Sequence, residues 1–243
     1  IWSNRVLEVD GTISDVTSPT EQLLYYKTPQ TKALRAGELF GLSQWKAFSG
    51  LKIAPNERFT VYLKALDYAG NVSYVSTDGA IVDDSSPDVE GLGPQIALTP
   101  EENASGIYKD DVKVSVAVRD PQRGADGSYS GIKEIRYEVL NMGRQTQSGT
   151  LYQFYEKNPA FDELQQTWSA ENAITVSKEL NNSNDVKVLV YASDNADNYS
   201  QAQIELKIDA TPPKITVEYD NNDGDTTFSD GVYFKNSRKA VIT

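Results

Sequence analysis

The sequence contains no cysteine and no histidine among its 243 residues. Without cysteine there is no disulfide framework, no thiolate nucleophile and no zinc–thiolate site. Without histidine the chain lacks the usual general base near neutral pH. Together these absences exclude Ser-His-Asp, Cys-His and His-ligated metal catalysis, and leave only carboxylate, lysine or tyrosine chemistry, or a carboxylate-bound metal. We therefore expect a protein that is not an enzyme.

Positive charge and long apolar runs are also scarce. The chain has 23 basic and 35 acidic residues, a formal net charge of −12. Proteins that bind nucleic acids need lysine and arginine patches to neutralise phosphates, so we expect no nucleic-acid partner. No apolar run approaches the ~20 residues that a spanning helix needs, so we expect no membrane insertion.

One stretch occurs twice, in residues 61–73 and again in residues 188–200. Each copy is a strand of alternating apolar and polar residues followed by a turn written D-x-A-x-N. An aspartate that leaves a strand can accept bonds from backbone N–H groups two residues on and so cap the turn. Such repetition indicates an array of like units. The matched turn residues are Asp67 and Asn71 in the first copy and Asp194 and Asn198 in the second.

A tryptophan begins a second pair of similar segments, residues 45–53 and 168–176. Trp45 and Trp168 could form aromatic platforms for a sugar, or could recur because both units pack in the same way. We favour packing, because a large aromatic side chain buries much apolar area. The pattern thus predicts equivalent, mostly buried positions for the two tryptophans.

The second unit has a longer segment before its tryptophan, which predicts an extra edge strand near residues 151–155 and a helical turn near residues 159–164. Insertions lie on the surface, where binding residues are common. The candidate ligand-binding residues are Tyr152, Phe154 and Tyr155. Exposed rings would favour binding, and rings buried under the sheet would favour a spacer.

Each unit ends in a strand and a proline-containing linker that is rich in aspartate. Calcium takes six to eight oxygen ligands, so carboxylates between two domains could hold it. The candidate ligands are Asp83, Asp84 and Asp88 at the first junction and Asp209 at the next. The alternative is that these residues only end strands and cap turns. No other cofactor is expected.

Three segments resemble the bacterial immunoglobulin-like tandem repeats of Gram-positive cell-surface proteins. They are a strand with its D-x-A-G-N turn at residues 64–71, a closing strand at 76–83 and a Thr-Pro linker at 209–213. Asp197 departs from that pattern, because the family prefers glycine there. The resemblance implies an all-β fold of tandem immunoglobulin-like antiparallel β-sandwiches. It also implies an extracellular location, on a bacterial cell surface or secreted, and no particular activity.

The repeats predict an immunoglobulin-like unit at 1–86 that lacks its first strand, a complete unit with a long insert at 87–212, and the opening strands of a third unit at 213–243. The expected function is a non-catalytic structural spacer whose partners are neighbouring repeats of the same polypeptide. One alternative is an adhesin or carbohydrate-binding module, whose insert would bind a glycan or a host or cell-surface protein. Another is a set of accessory domains of a larger secreted enzyme.

Overall fold

A computed structural model describes residues 1–30, 34–94, 106–156, 160–219, 226–228, 231–233 and 240–242. The chain divides into two compact units, Ile1–Asp209 and Ala210–Thr243. The described elements are almost all β-strands, with one short α-helix and one 3-10 turn. The all-β fold class that the family resemblance implies is therefore confirmed.

The first β-sandwich comes from the beginning of the chain. One sheet has the strand order β1-β8-β6-β3-β4, with β7 also paired to β6, and the strands β2 and β5 form a separate pair. Its elements are β1 (Trp2–Ser3), β2 (Leu7–Val9), β3 (Thr20–Thr28), helix α1 (Ala36–Phe40), β4 (Lys46–Ala47), β5 (Leu51–Ile53), β6 (Glu57–Asp67), β7 (Val72–Ser76) and β8 (Ala80–Val82). A buried core of Ile53, Phe59, Val61, Ala80 and Val82 lies between the two sheets.

The second β-sandwich contains eight strands in two sheets, with the orders β10-β16-β15-β12-β13 and β14-β11-β9. This division, with sequential strands distributed between two facing sheets, is the immunoglobulin-like arrangement. Its elements are β9 (Asp88–Pro94), β10 (Ile107–Tyr108), β11 (Val112–Arg119), β12 (Ile132–Asn141), β13 (Arg144–Gln153), the 3-10 turn Phe161–Glu163, β14 (Thr167–Val176), β15 (Ser183–Asp194) and β16 (Tyr199–Ile208).

Strict alternation in the sequence explains how this second core forms. In β11 every second residue is buried, namely Val112, Val114, Val116 and Val118. Because side chains alternate across a strand, these valines all face the opposite sheet. The hairpin between β12 and β13 turns at Met142 and Gly143, which have φ angles of 50° and 75°. Two successive positive φ angles are what a tight type I′ hairpin requires.

Each sandwich has a parallel strand pair at the edge of one of its sheets. Strand β1 pairs in parallel with β8, as β10 does with β16. The first sandwich therefore contains an opening strand of this kind, at Trp2–Ser3, and none of the described residues before β2 forms a counterpart of β9. Residues 95–98, near the start of the repeat predicted at 87–212, lie outside the described residues.

In the unit Ala210–Thr243, the described residues form two short strand pairs. Strand β17 (Val217–Tyr219) pairs with β20 (Ala240–Ile242), and β18 (Thr226–Phe228) pairs with β19 (Gly231–Tyr233). Both pairs are antiparallel. The predicted opening strands of a third repeat fall in this unit.

The prediction that the two tryptophans occupy equivalent positions is wrong. Trp168 lies in β14, which pairs with β11, and it packs against the second core. Trp45 instead precedes β4, which pairs with β3 in the other sheet, and its ring contacts Tyr26 and Tyr74. The reason is local, because the first copy leaves one sheet and joins the other at Gly50, which has a φ angle of 93°.

Candidate functional site

Both D-x-A-x-N turns have the same internal structure. The backbone N–H and side-chain amide of Asn71 donate to the two carboxylate oxygens of Asp67, each at 2.7 Å. Asn198 does the same to Asp194, at 2.9 and 2.8 Å. The residue before each asparagine, Gly70 or Asp197, has a positive φ angle, as expected from residue types that tolerate the left-handed region.

The surroundings of the two turns differ. Asn71 is exposed, whereas Asn198 is half-buried where the first sandwich meets the second. The side-chain nitrogen of Asn198 also donates to the backbone oxygens of Asp83 at 2.8 Å and Ser85 at 3.3 Å. The second turn therefore holds the linker that follows the first sandwich.

Three aspartates meet at this junction, and we call them the aspartate cluster: Asp83, Asp120 and Asp194. Each offers a carboxylate oxygen, and these oxygens lie within 4.8 Å of one another. The three residues are 1%, 0% and 0% exposed. Asp83 follows β8, Asp120 follows β11 and Asp194 ends β15. The ends of strands from both sandwiches thus bring three aspartate side chains together at one buried position.

Backbone N–H groups orient the carboxylates. Asp83 accepts bonds from Ser85 N at 2.9 Å and Ser130 N at 2.8 Å. Asp120 Oδ2 accepts a bond from Gly131 N at 2.6 Å, and Asp120 Oδ1 has no hydrogen-bond partner. Within the described ranges, none of the three carboxylates forms an ion pair with lysine or arginine.

The aspartate cluster is electrostatically costly. Burial, together with the negative charges of Asp83 and Asp194, raises the pKa of Asp120 to about 8, against hydrogen bonds from the backbone of Gly131 and Ser130. Burial also raises the pKa of Asp194 to about 7, although the two hydrogen bonds from Asn198 oppose this shift. Three ionised carboxylates in a dry interior repel one another, so the ionised cluster needs a cation or retained protons.

A second set of contacts joins the sandwiches beside the aspartate cluster. The guanidinium of Arg58, in β6, lies 3.9 Å from the ring centre of Phe161, and its Nε is 3.8 Å from Asp126 Oδ2. The Phe161 ring also packs against Tyr129, with centroids 4.8 Å apart. These contacts enclose an arginine of the first sandwich between side chains of the second.

The backbones of the two sandwiches also pack closely at the junction. Gly124 has a φ angle of 71°, and a Cβ atom built there would overlap the backbone oxygen of Asn56 in the first sandwich. Only glycine fits both the positive φ angle and the close approach. The loop between β11 and β12 therefore rests directly on the first sandwich.

Of the four predicted calcium ligands, the structure brings only Asp83 into the aspartate cluster. Asp84 is exposed and accepts a hydrogen bond from the side chain of Asn56 at 2.8 Å. Asp88 and Asp209 are also exposed and lie outside the cluster. The sequence interpretation treated Asp194 only as a turn residue and did not identify Asp120. The available signal for Asp120 was its position directly after a fully alternating strand.

The three aromatic residues predicted to bind a ligand differ in their environments. Tyr152 packs against the second core and lies 6.4 Å from Trp168 between ring centroids. Phe154 is half-buried, and Tyr155 is 78% exposed. Phe161, which the sequence interpretation did not single out, is a residue of the insert that contacts the first sandwich.

Comparisons with known proteins give distant structural likenesses. No protein-family model and no curated protein matches the chain. One similar solved structure is that of the fibronectin(III)-like modules of Clostridium thermocellum CbhA, at 12% identity and a TM-score of 0.27, covering 88% of this chain and 91% of that one. Another is that of the chicken CNTN1 FN1-FN3 domains, at 11% identity and a TM-score of 0.30, covering 89% of this chain and 67% of that one.

None of the described helices is long and apolar enough to cross a membrane.

Proposed function

We propose that this chain is a non-catalytic spacer from an extracellular bacterial protein, a surface or secreted protein built from tandem immunoglobulin-like repeats. In such a spacer the angle between neighbouring repeats must be held, because a free hinge would shorten and soften the array. The observation that carries the proposal is the enclosure of Arg58 between Phe161 and Asp126, which joins one sandwich to the next.

The linker supports the same function. Domains joined by a few exposed linker residues move relative to one another unless their interface is substantial. Here the linker backbone at Asp83 and Ser85 is bonded to Asn198, and Pro87 is buried. The chain connection is therefore part of the interface and leaves little freedom for a hinge.

The position of the insert also favours a spacer over an adhesin. An adhesin that binds through the insert requires its aromatic residues on a free surface. Instead, Phe161 contacts the first sandwich and Tyr152 packs against the second core, while Tyr155 remains exposed. A spacer function fits equally a stalk of surface repeats and the accessory domains of a secreted enzyme.

The test is to disturb the junction without touching either core. In Gly124→Ala, the added Cβ would overlap the Asn56 backbone, so the two sandwiches must separate or rotate. The matched control is Gly127→Ala, which has a similar φ angle of 64° but whose Cβ approaches only the side chain of Gln122, at 3.6 Å. Small-angle scattering should show a broader distribution of particle dimensions for Gly124→Ala and none of this change for Gly127→Ala. Identical scattering from wild type and Gly124→Ala would refute the proposal.

A further inference from the structure

We propose that the aspartate cluster binds a calcium ion, held between the two sandwiches by Asp83, Asp120 and Asp194. This site goes beyond the spacer function, which the scattering comparison of Gly124→Ala tests separately. Three carboxylates that are at most 1% exposed lie within 4.8 Å of one another. A divalent cation is the simplest group that could neutralise most of this charge in so confined a place.

Unpartnered oxygen atoms provide a second, independent observation. Asp120 Oδ1 and Ser130 Oγ have no hydrogen-bond partner, and both residues are 0% exposed. Buried polar atoms are nearly always paired, so each exception calls for an explanation. Asp120 belongs to the cluster, and the backbone N–H of Ser130 is bonded to Asp83 Oδ2 at 2.8 Å. Asp120 Oδ1 is therefore an unpartnered oxygen of the cluster itself, and the proposed ion would supply its missing partner.

The ligand atoms are already oriented. Asp83 and Asp194 each accept two hydrogen bonds, and Asp120 accepts one from Gly131. Each carboxylate oxygen has two lone pairs, so an oxygen that accepts one bond can still bind a metal. Hydrogen bonds that hold metal ligands in one orientation typically raise metal affinity, because the ligand side chains lose little further freedom when the ion binds.

The chemistry of the ligands selects calcium. All three are carboxylates, and the chain has no cysteine or histidine to favour zinc, copper or nickel. Calcium accepts irregular sets of six to eight oxygens, whereas magnesium requires a nearly ideal octahedron and retains its water. Strand ends from two different sandwiches produce an irregular arrangement, which suits the larger ion.

The ligands also explain what the ion would do. Asp83 comes from the first sandwich, while Asp120 and Asp194 come from the second. An ion bound to all three therefore joins the two sandwiches directly. Removing it would leave the repulsion between the carboxylates to push the sandwiches apart.

The test is calcium titration of the full chain after treatment with a chelator. Calorimetry should show binding, and Tm should rise with calcium concentration more than with magnesium. Asp120→Asn keeps the shape of the side chain and removes one charge. It should bind one calcium ion fewer than wild type and lose the calcium-dependent rise in Tm, without being less stable than wild type in chelator.

The matched control is Asp88→Asn, which removes the same charge from an exposed position at the start of β9. Its calcium affinity should remain within about twofold of wild type, because exposed charges are well screened. Absence of binding in wild type, or calcium binding that is unchanged in Asp120→Asn, would overturn the proposal. If Asp120→Asn does not fold, the wild-type titration still decides, since no response to calcium would refute the site.

Discussion

The two copies of the D-x-A-x-N turn allow the junction to be measured against an internal control. Asn71→Ala and Asn198→Ala remove the same side chain from turns with the same internal hydrogen bonds. Only Asn198 also bonds the linker, through the backbone oxygens of Asp83 and Ser85. The difference between the two losses of stability therefore isolates the contact between sandwich and linker.

The expected difference follows from those two bonds. A protein hydrogen bond contributes about 0.5–1.5 kcal/mol net, and the bond to Ser85 is long at 3.3 Å. We expect Asn198→Ala to lower the free energy of unfolding by roughly 1–2 kcal/mol more than Asn71→Ala. Urea unfolding followed by tryptophan fluorescence and circular dichroism would measure both variants. Equal losses would refute the reasoning, because the linker bonds would then contribute nothing.

Two further predictions concern the acids and a glycine at the junction. When calcium is removed with a chelator, burial holds the pKa of Asp120 at about 8 and that of Asp194 at about 7, well above the ordinary pKa of an aspartate. The folded state thus retains protons that the unfolded state has lost, and stability should fall as pH rises from about 4 to about 8, by up to about 1.4 kcal/mol per pH unit for each proton. Urea unfolding at several pH values tests this, and stability that rises over the range would contradict it. Gly131→Ala should lower the free energy of unfolding by about 1 kcal/mol or more beyond the loss caused by Gly143→Ala. Both glycines have positive φ angles, but of the two only Gly131 has a neighbour, Leu164 Cβ, 3.0 Å from the added methyl group. Thermal unfolding would compare the two variants, and equal shifts in Tm would contradict the packing argument.

Features repeated within the chain could be predicted from the sequence. Alternation identified β11 and β15, and the repeated aspartate and asparagine identified the two turns. These are local patterns, since side-chain period and turn chemistry involve residues a few positions apart. The sandwich fold was implied by the resemblance to bacterial immunoglobulin-like repeats, and it is consistent with alternation because alternating strands must bury one face against another sheet.

Long-range relationships could not be predicted in this way. Asp83, Asp120 and Asp194 follow three different strands, and nothing in their spacing indicates that the strand ends converge. The cluster depends on how one sandwich sits on the other, which a single sequence does not encode in any local pattern. Trp45 shows a related failure, because its similarity to Trp168 did not reveal that the chain changes sheets at Gly50.

The most direct test of a rigid junction is the distance distribution between spin labels on the two sandwiches. The chain has no cysteine, so Gln22→Cys in β3 and Gln203→Cys in β16 would provide two unique labelling sites. Both positions are exposed, and the labels should not disturb either core. Double electron–electron resonance in calcium-containing buffer should give one narrow distance peak. A broad or multiple distribution would show that the sandwiches move freely, and would contradict the spacer.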